Sequence, residues 1–178
     1  MGELAGLRRR RVDLLRGTVD VAEVATEVGG VLHFGPPKTR ASRRTVGLPR
    51  RVVEALDEHL RRFTAPEPDA LVFTAPLGGP LRVSSFRSRV WRQATAQAGL
   101  PGLRLHDLRH TAVALWIAAG ASPKEVATRA GHTSVSVVLD VYGHLYPEAD
   151  ATLRGRLDEM IEAAEPAQEG KLLSLDRR

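Results

Sequence analysis

The chain has 178 residues, no cysteine, and 26 Lys and Arg against 21 Asp and Glu, for a formal net charge of +5. That length suits one domain with a proper core, ordinary apolar content argues against disorder throughout, and the missing cysteine excludes a disulfide framework or a thiolate metal site. Only three of the basic residues are lysines; arginine grips phosphate through two parallel hydrogen bonds, so the excess suits a nucleic-acid partner, although GC-rich coding sequence accumulates arginine too.

The opening stretch, Gly2-Glu3-Leu4-Ala5-Gly6-Leu7, reads as the end of a helix. Arg8 to Arg11 then form a basic run, read as solvated surface with DNA contact as the sharper alternative. Residues 17–48 read as β structure. Val19, Val21, Val24 and Val28 are β-branched, Gly29-Gly30 is a hairpin turn signal, and Val31-Leu32-His33-Phe34 resumes the strand. Gly35-Pro36-Pro37 breaks it, and a turn at Arg40-Ala41-Ser42 leads to Arg44-Thr45-Val46-Gly47-Leu48. Three short antiparallel strands are expected, with Lys38 near a turn. Pro49 starts a helix with Val52, Val53, Leu56, Leu60 and Phe63 on one face. Leu71-Val72-Phe73 reads as a short strand and Leu77-Gly78-Gly79-Pro80 as a turn. Ser84 or Ser85 should cap another helix, with Phe86, Val90, Trp91 and Ala94 toward the core and Arg87, Arg89 and Arg92 scattered around it.

The stretch Leu105-His106-Asp107-Leu108-Arg109-His110-Thr111 opens the central helix, whose core stripe is expected at Leu105, Leu108, Ala112, Leu115, Trp116 and Ala119. His106, Arg109 and His110 stand at i, i+3 and i+4, so they neighbour one another on the first turn. A helix start offers free N–H groups and a partial positive charge to an anion. A guanidinium and two imidazoles there make a phosphate socket. Two histidines at i, i+4 also match a zinc-binding helix, but Arg109 between them would repel a dication, and Asp107 is short for the expected glutamate base.

Further on, Ser122-Pro123-Lys124-Glu125 is a capping box, and Gly131 is the expected C-cap of the helix it starts. His132 would then be displayed on a tight connection. Thr133 or Ser134 should begin the next helix, running through Val137, Val138 and Val141 to Tyr142. Pro147-Glu148 starts a last helix with Leu153, Leu157, Met160 and Ile161 on its apolar face. From Glu165 the pattern dissolves into a tail that carries the small apolar patch Leu172-Leu173-Ser174-Leu175.

The order His106-x-x-Arg109, then Gly131-His132, then Tyr142-Gly143-His144 resembles the catalytic domain of the tyrosine recombinase (phage integrase) family. The segment Pro37 to Val46 is similar to that family's lysine-bearing hairpin. The resemblance implies an α+β fold, mainly helical with a small three-stranded antiparallel sheet, of the DNA breaking–rejoining type, over residues 1–164. Residues 165–178 would be a tail, either disordered or docked on a neighbouring protomer. It further implies Tyr142 as nucleophile and Arg109 on the non-bridging oxygens. His106 would hydrogen-bond or take the tyrosine proton, His132 would donate to the phosphate, and Lys38 would protonate the 5′-oxygen leaving group.

Arg40, Arg43, Arg87, Arg89, Arg92 and Thr111 are the expected DNA contacts. Double-stranded DNA, other protomers in a tetrameric synapse and accessory DNA-binding proteins are the expected partners. No cofactor, metal or membrane is expected, and the cytoplasm is the expected location. Where this chain reads Met1-Gly2-Glu3-Leu4, the family reads Arg-x-Gly-Glu-Leu. The first catalytic arginine and the N-terminal core-binding domain are therefore expected to be missing, which leaves a catalytically impaired DNA-binding remnant as the alternative.

Overall fold

The computed structural model describes residues 1–146 and 149–164. A one-turn helix α1 (Gly2–Ala5) lies on strand β3 (Val24–Val28), burying Ala5 against Ala25. The approach is close because Gly6 has no side chain: a Cβ there would sit 3.0 Å from both Ala25 N and Glu23 O. Beta branching at Val19, Val21, Val24 and Val28 suits extended backbone, and antiparallel pairs do form.

The expected three-stranded sheet is present, ordered β1 (Val12–Asp13), β2 (Thr18–Val21) and β5 (Arg44–Gly47). The strands flanking Gly29-Gly30 are not part of it. Strand β3 and β4 (Val31–Gly35) pair only with each other, Val28 opposite Val31, as a separate hairpin whose two turn glycines have φ 56° and 79°. Leu71-Val72-Phe73 is a single bridge to the start of the chain rather than a strand, with Val72 N donating to Leu7 O at 2.9 Å. One apolar cluster joins Leu7, Leu56, Leu60 and Val72, so helix α2 (Arg50–Phe63) closes over the sheet. Of its expected face, Val52 and Phe63 remain exposed.

The run of four arginines is paired along its length, with Arg10 and Arg11 still partly exposed. Arg8 pairs with Glu23, Arg10 with Asp69 and Arg11 with Asp20, while Arg9 donates to Leu60 O. Helix α3 (Val83–Phe86) begins one residue before the expected serine cap, with Arg82 at the N-cap position and no side-chain cap bond. It passes through a wider π turn, Arg87–Trp91, into α4 (Arg92–Gln97). That extra width rotates the helix, so Thr95 is buried while Val90 and Ala94 are exposed.

The second cluster holds the helical half together: Val113, Ile117, Val126, Ala127, Val138 and Tyr142. It unites α5 (Asp107–Ala118), α6 (Pro123–Ala130) and α7 (Ser136–Tyr142). Here the expected stripe of α5 is corrected. Leu108 and Leu115 face outward, and the buried line runs through Val113 and Ile117. The capping box and the left-handed Gly131 at φ 71° are found as expected. Helix α7 starts at Ser136, later than Thr133 or Ser134, although Ser134 Oγ does accept from Ser136 N. In the last helix, α8 (Ala149–Ala164), Leu153, Leu157, Met160 and Ile161 all stand exposed. The patch Leu172–Leu175 lies outside the described residues.

Candidate functional site

Arg109 extends from the first turn of α5 and donates to Ala130 O, the carbonyl just before the Gly131-His132 turn. From the other side Arg44 of β5 reaches the same turn. Its Nε donates to Arg129 O at 2.7 Å, and its two terminal nitrogens hold Glu3 at 2.8 and 3.0 Å. A Cβ on Gly131 would lie 2.9 Å from Arg44 Nη1, so glycine is needed here for close approach as well as for its positive φ. Burial raises the Glu3 carboxyl, but the hydrogen bonds and charge of Arg44, then the charges of Arg109 and the N-terminus, outweigh it and hold it below its ordinary value.

His132 is thus fixed between two guanidiniums. Burial, then the charges of Arg109 and Arg44, push its imidazole below the usual histidine value, so the neutral ring is favoured. Its Nδ1 is enclosed without a hydrogen-bond partner among the described residues. The expected display of His132 on the connection is therefore only partial.

Tyr142, at the end of α7, is 7% exposed, and its hydroxyl meets Nδ1 of His110 at 2.6 Å. The partner of the phenol is His110, not His106. His106 stands edge-on to His110, with ring centroids 5.2 Å apart. Sequence reasoning counted His110 into the phosphate socket but gave it no role with Tyr142. The available signal was its spacing: His110 stands three residues before Val113 on α5, at the exposed end of the line whose Val113 and Ile117 are buried. Asp107 closes the helix start by accepting from Arg104 N at 2.8 Å and from the Arg104 side chain, whose hydrogen bonds hold its carboxyl low.

Beside this cluster runs a groove of about 780 Å³, lined by Met1, Arg87, Arg92, Arg104, His106 and Arg109 among others. Arg87 and Arg92 therefore join the site. Arg89 does not: it lines a different groove with Leu77 and Phe86. Thr111 Oγ1 donates to Asp107 O, a bond within the helix. Lys38, Arg40 and Arg43 are exposed around the short turn Arg40–Ser42, which Thr39 caps. Among the described residues no hydrogen bond joins Lys38 to Arg109, His132 or Tyr142. Tyr146, the alternative phenol, packs against the helical cluster, and burial, then the charge of Glu125, pushes it up, away from ionisation. Among the described residues no helix is long and apolar enough to cross a membrane.

This arrangement offers cations and a neutral imidazole to an oxyanion, with a hydrogen-bonded phenol alongside. The family described as "Phage integrase family" matches residues 1–149. The integrase of Mycobacterium phage L5 is 34% identical over 137 residues, covering 75% of this chain and 37% of that protein. The ICEBs1 integrase of Bacillus subtilis is 29% identical over 167 residues, covering 90% and 45%. The chain spans less than half the length of these curated relatives. The Tn1549 transposon integrase, solved in complex with transposon right end DNA, superposes with a TM-score of 0.70 at 19% identity, covering 90% of this chain and 54% of that one, a likeness of fold.

Proposed function

The chain belongs to the phage integrase family, and from that premise we propose that it is the catalytic domain of a site-specific recombinase, cleaving and rejoining DNA through a 3′-phosphotyrosyl intermediate. Residues 1–164 form the domain. The observation that carries the reading is the junction of three elements: Tyr142 from α7, the His106–Arg109–His110 turn of α5 and the His132 turn after α6.

Attack on a phosphodiester moves charge onto the non-bridging oxygens, and preorganised donors answer it best where they are already fixed. Arg109 binds those oxygens, held in place through Ala130 O. His132, kept neutral, donates an N–H to the same phosphate, with its Nδ1 edge enclosed. His106 adds a hydrogen bond from the groove, and Lys38 protonates the departing 5′-oxygen. Tyr142 is the nucleophile in preference to Tyr146, whose phenol burial, then the charge of Glu125, pushes away from ionisation. The energy of the broken bond is kept in the tyrosyl ester, so the 5′-hydroxyl of another strand rejoins the DNA without a high-energy cofactor. Arg87 and Arg92 follow the backbone along the groove. Double-stranded DNA, further protomers in a tetrameric synapse and accessory DNA-binding proteins are the partners.

The test uses a library of nicked duplexes that trap the covalent ester. Residues 1–178 are compared with the same chain carrying an arginine-bearing segment joined before Met1. Met1 lines the groove beside His106 and Arg109, so that arginine would enter there. Adducts should form weakly in the first and about 10²–10³-fold faster in the second, the usual effect of one oxyanion donor. Tyr142→Phe should abolish adducts in both and leave DNA binding nearly intact. Adducts that persist in Tyr142→Phe, or that map to Tyr146 by mass spectrometry, refute the assignment.

A further inference from the structure

We propose that His110 is the group that takes the phenolic proton of Tyr142 during strand cleavage and returns it during rejoining. The proposal rests on Tyr142 being the nucleophile and adds the residue that activates it. A phenol is a weak nucleophile while it holds its proton, so a base within hydrogen-bond reach is the first requirement. Nδ1 of His110 on α5 is 2.6 Å from the Tyr142 hydroxyl on α7, and the Tyr142 ring is buried in the cluster that joins the two helices.

The chemistry balances. The phenolic oxygen bonds to phosphorus, the bond from phosphorus to the 5′-oxygen breaks, and the phenolic proton passes to Nδ1. The 5′-oxygen leaves with a proton from the opposite side of the phosphate, the task assigned to Lys38. In rejoining each proton travels back.

The surroundings suit the imidazolium that results. Asp107 lies one turn earlier on α5, and its carboxylate interacts with the charge of His110. The His106 ring stands edge-on to His110. His144 belongs to the turn Gly143–Leu145, which also packs on α5. His106 has no comparable approach to the phenol: it lines the groove with Arg109, where a phosphate would lie. The two histidines therefore divide the work, one on the phosphate and one on the nucleophile.

Two measurements test this. In the DNA-free protein, nitrogen-15 spectra of the His110 ring should show a bare Nδ1 and a protonated Nε2, with the Nδ1 signal moving in Tyr142→Phe. A neutral ring protonated on Nδ1, or a signal indifferent to Tyr142→Phe, overturns the proposal. In the adduct assay above, using whichever form of the chain cleaves, His110→Phe should slow adduct formation by about 10²–10⁴-fold at unchanged DNA affinity. Its melting temperature checks the fold, and His110→Gln takes its place if the larger ring disturbs packing.

Placing difluorotyrosine, a more acidic phenol, at position 142 should restore much of the rate in the His110 variant and change the unsubstituted protein little. A purely structural role for His110 would not respond to phenol acidity. Equal rates with and without His110, or no rescue by the acidic phenol, overturn the proposal while Tyr142 stands. If no form of the chain makes an adduct through Tyr142, the recombinase reading falls and the proposal falls with it.

Discussion

Replacing Arg44 with methionine removes one cation from four hydrogen bonds at once: two to Glu3, one to Arg129 O and one to Ser42 O at 2.9 Å. The Arg44 side chain is 10% exposed and that of Glu3 34%. Truncating one partner of a buried ion pair costs about 3–5 kcal/mol. Glu3 is open enough for water to recover part of its solvation, which discounts the cost to roughly 2–4 kcal/mol. For a chain of this size that is a fall in melting temperature of about 5–15 °C. Glu3→Gln should cost less at neutral pH, and its deficit should depend on acid. The Glu3 carboxyl is held below its ordinary value in the folded chain, so the unfolded chain takes up a proton first as pH falls. The contribution is complete above about pH 4.3 and is lost as pH drops through the lower folded value. Thermal melts followed by circular dichroism across this range are the assay. Arg44→Met melting with wild type at neutral pH would refute the reasoning, and so would a Glu3→Gln deficit undiminished in acid.

His132 should leave its own mark near neutrality. Its folded value lies below that of the unfolded chain, so stability is full above about pH 6.5 and declines as pH falls below it. His132→Gln should flatten that decline in the same melts, and parallel slopes would refute the burial argument. DNA affinity should fall by orders of magnitude between about 50 and 200 mM salt as counterions are released. Arg87→Ala and Arg92→Ala should each lower the slope of log affinity against log salt by about 1. Arg10→Ala should leave it unchanged, because Arg10 already faces Asp69; a slope lowered equally by Arg10→Ala would refute this partition of the arginines.

What was legible in the sequence was local chemistry. The Ser122–Glu125 capping box, the left-handed Gly131 and the Gly29-Gly30 hairpin each depend on a few adjacent residues, and each is found. The order of His106, Arg109, His132 and Tyr142 carried the resemblance to the family that matches residues 1–149, because its spacing is specific even where single residues are not. What stayed hidden was set by tertiary contacts. Leu108 and Leu115 are as apolar as Val113 and Ile117, so side-chain type alone did not separate the two lines, yet it is the pair next to His110 that is buried. A polar residue on that line masks it from any reading that seeks apolar stripes. Arg44 looked like an ordinary strand residue because its partners, Glu3 and Arg129 O, are 41 and 85 positions away. The π turn at Arg87–Trp91 likewise left no local signal, and it turned Ala94 outward and Thr95 inward.

The arginine run at positions 8–11 has a consequence for how the chain can be coupled to anything joined in front of it. Its four side chains tie the opening segment to Glu23, Asp20, Asp69 and the end of α2. Met1 comes to rest at the rim of the arginine-lined groove. Such a mooring leaves little slack. A module attached at Met1 would be delivered to one edge of the groove with a tether near zero length, and its reach around a duplex would be set by the module's own dimensions. Weakening the mooring would lengthen the tether without altering one group that touches the phosphate.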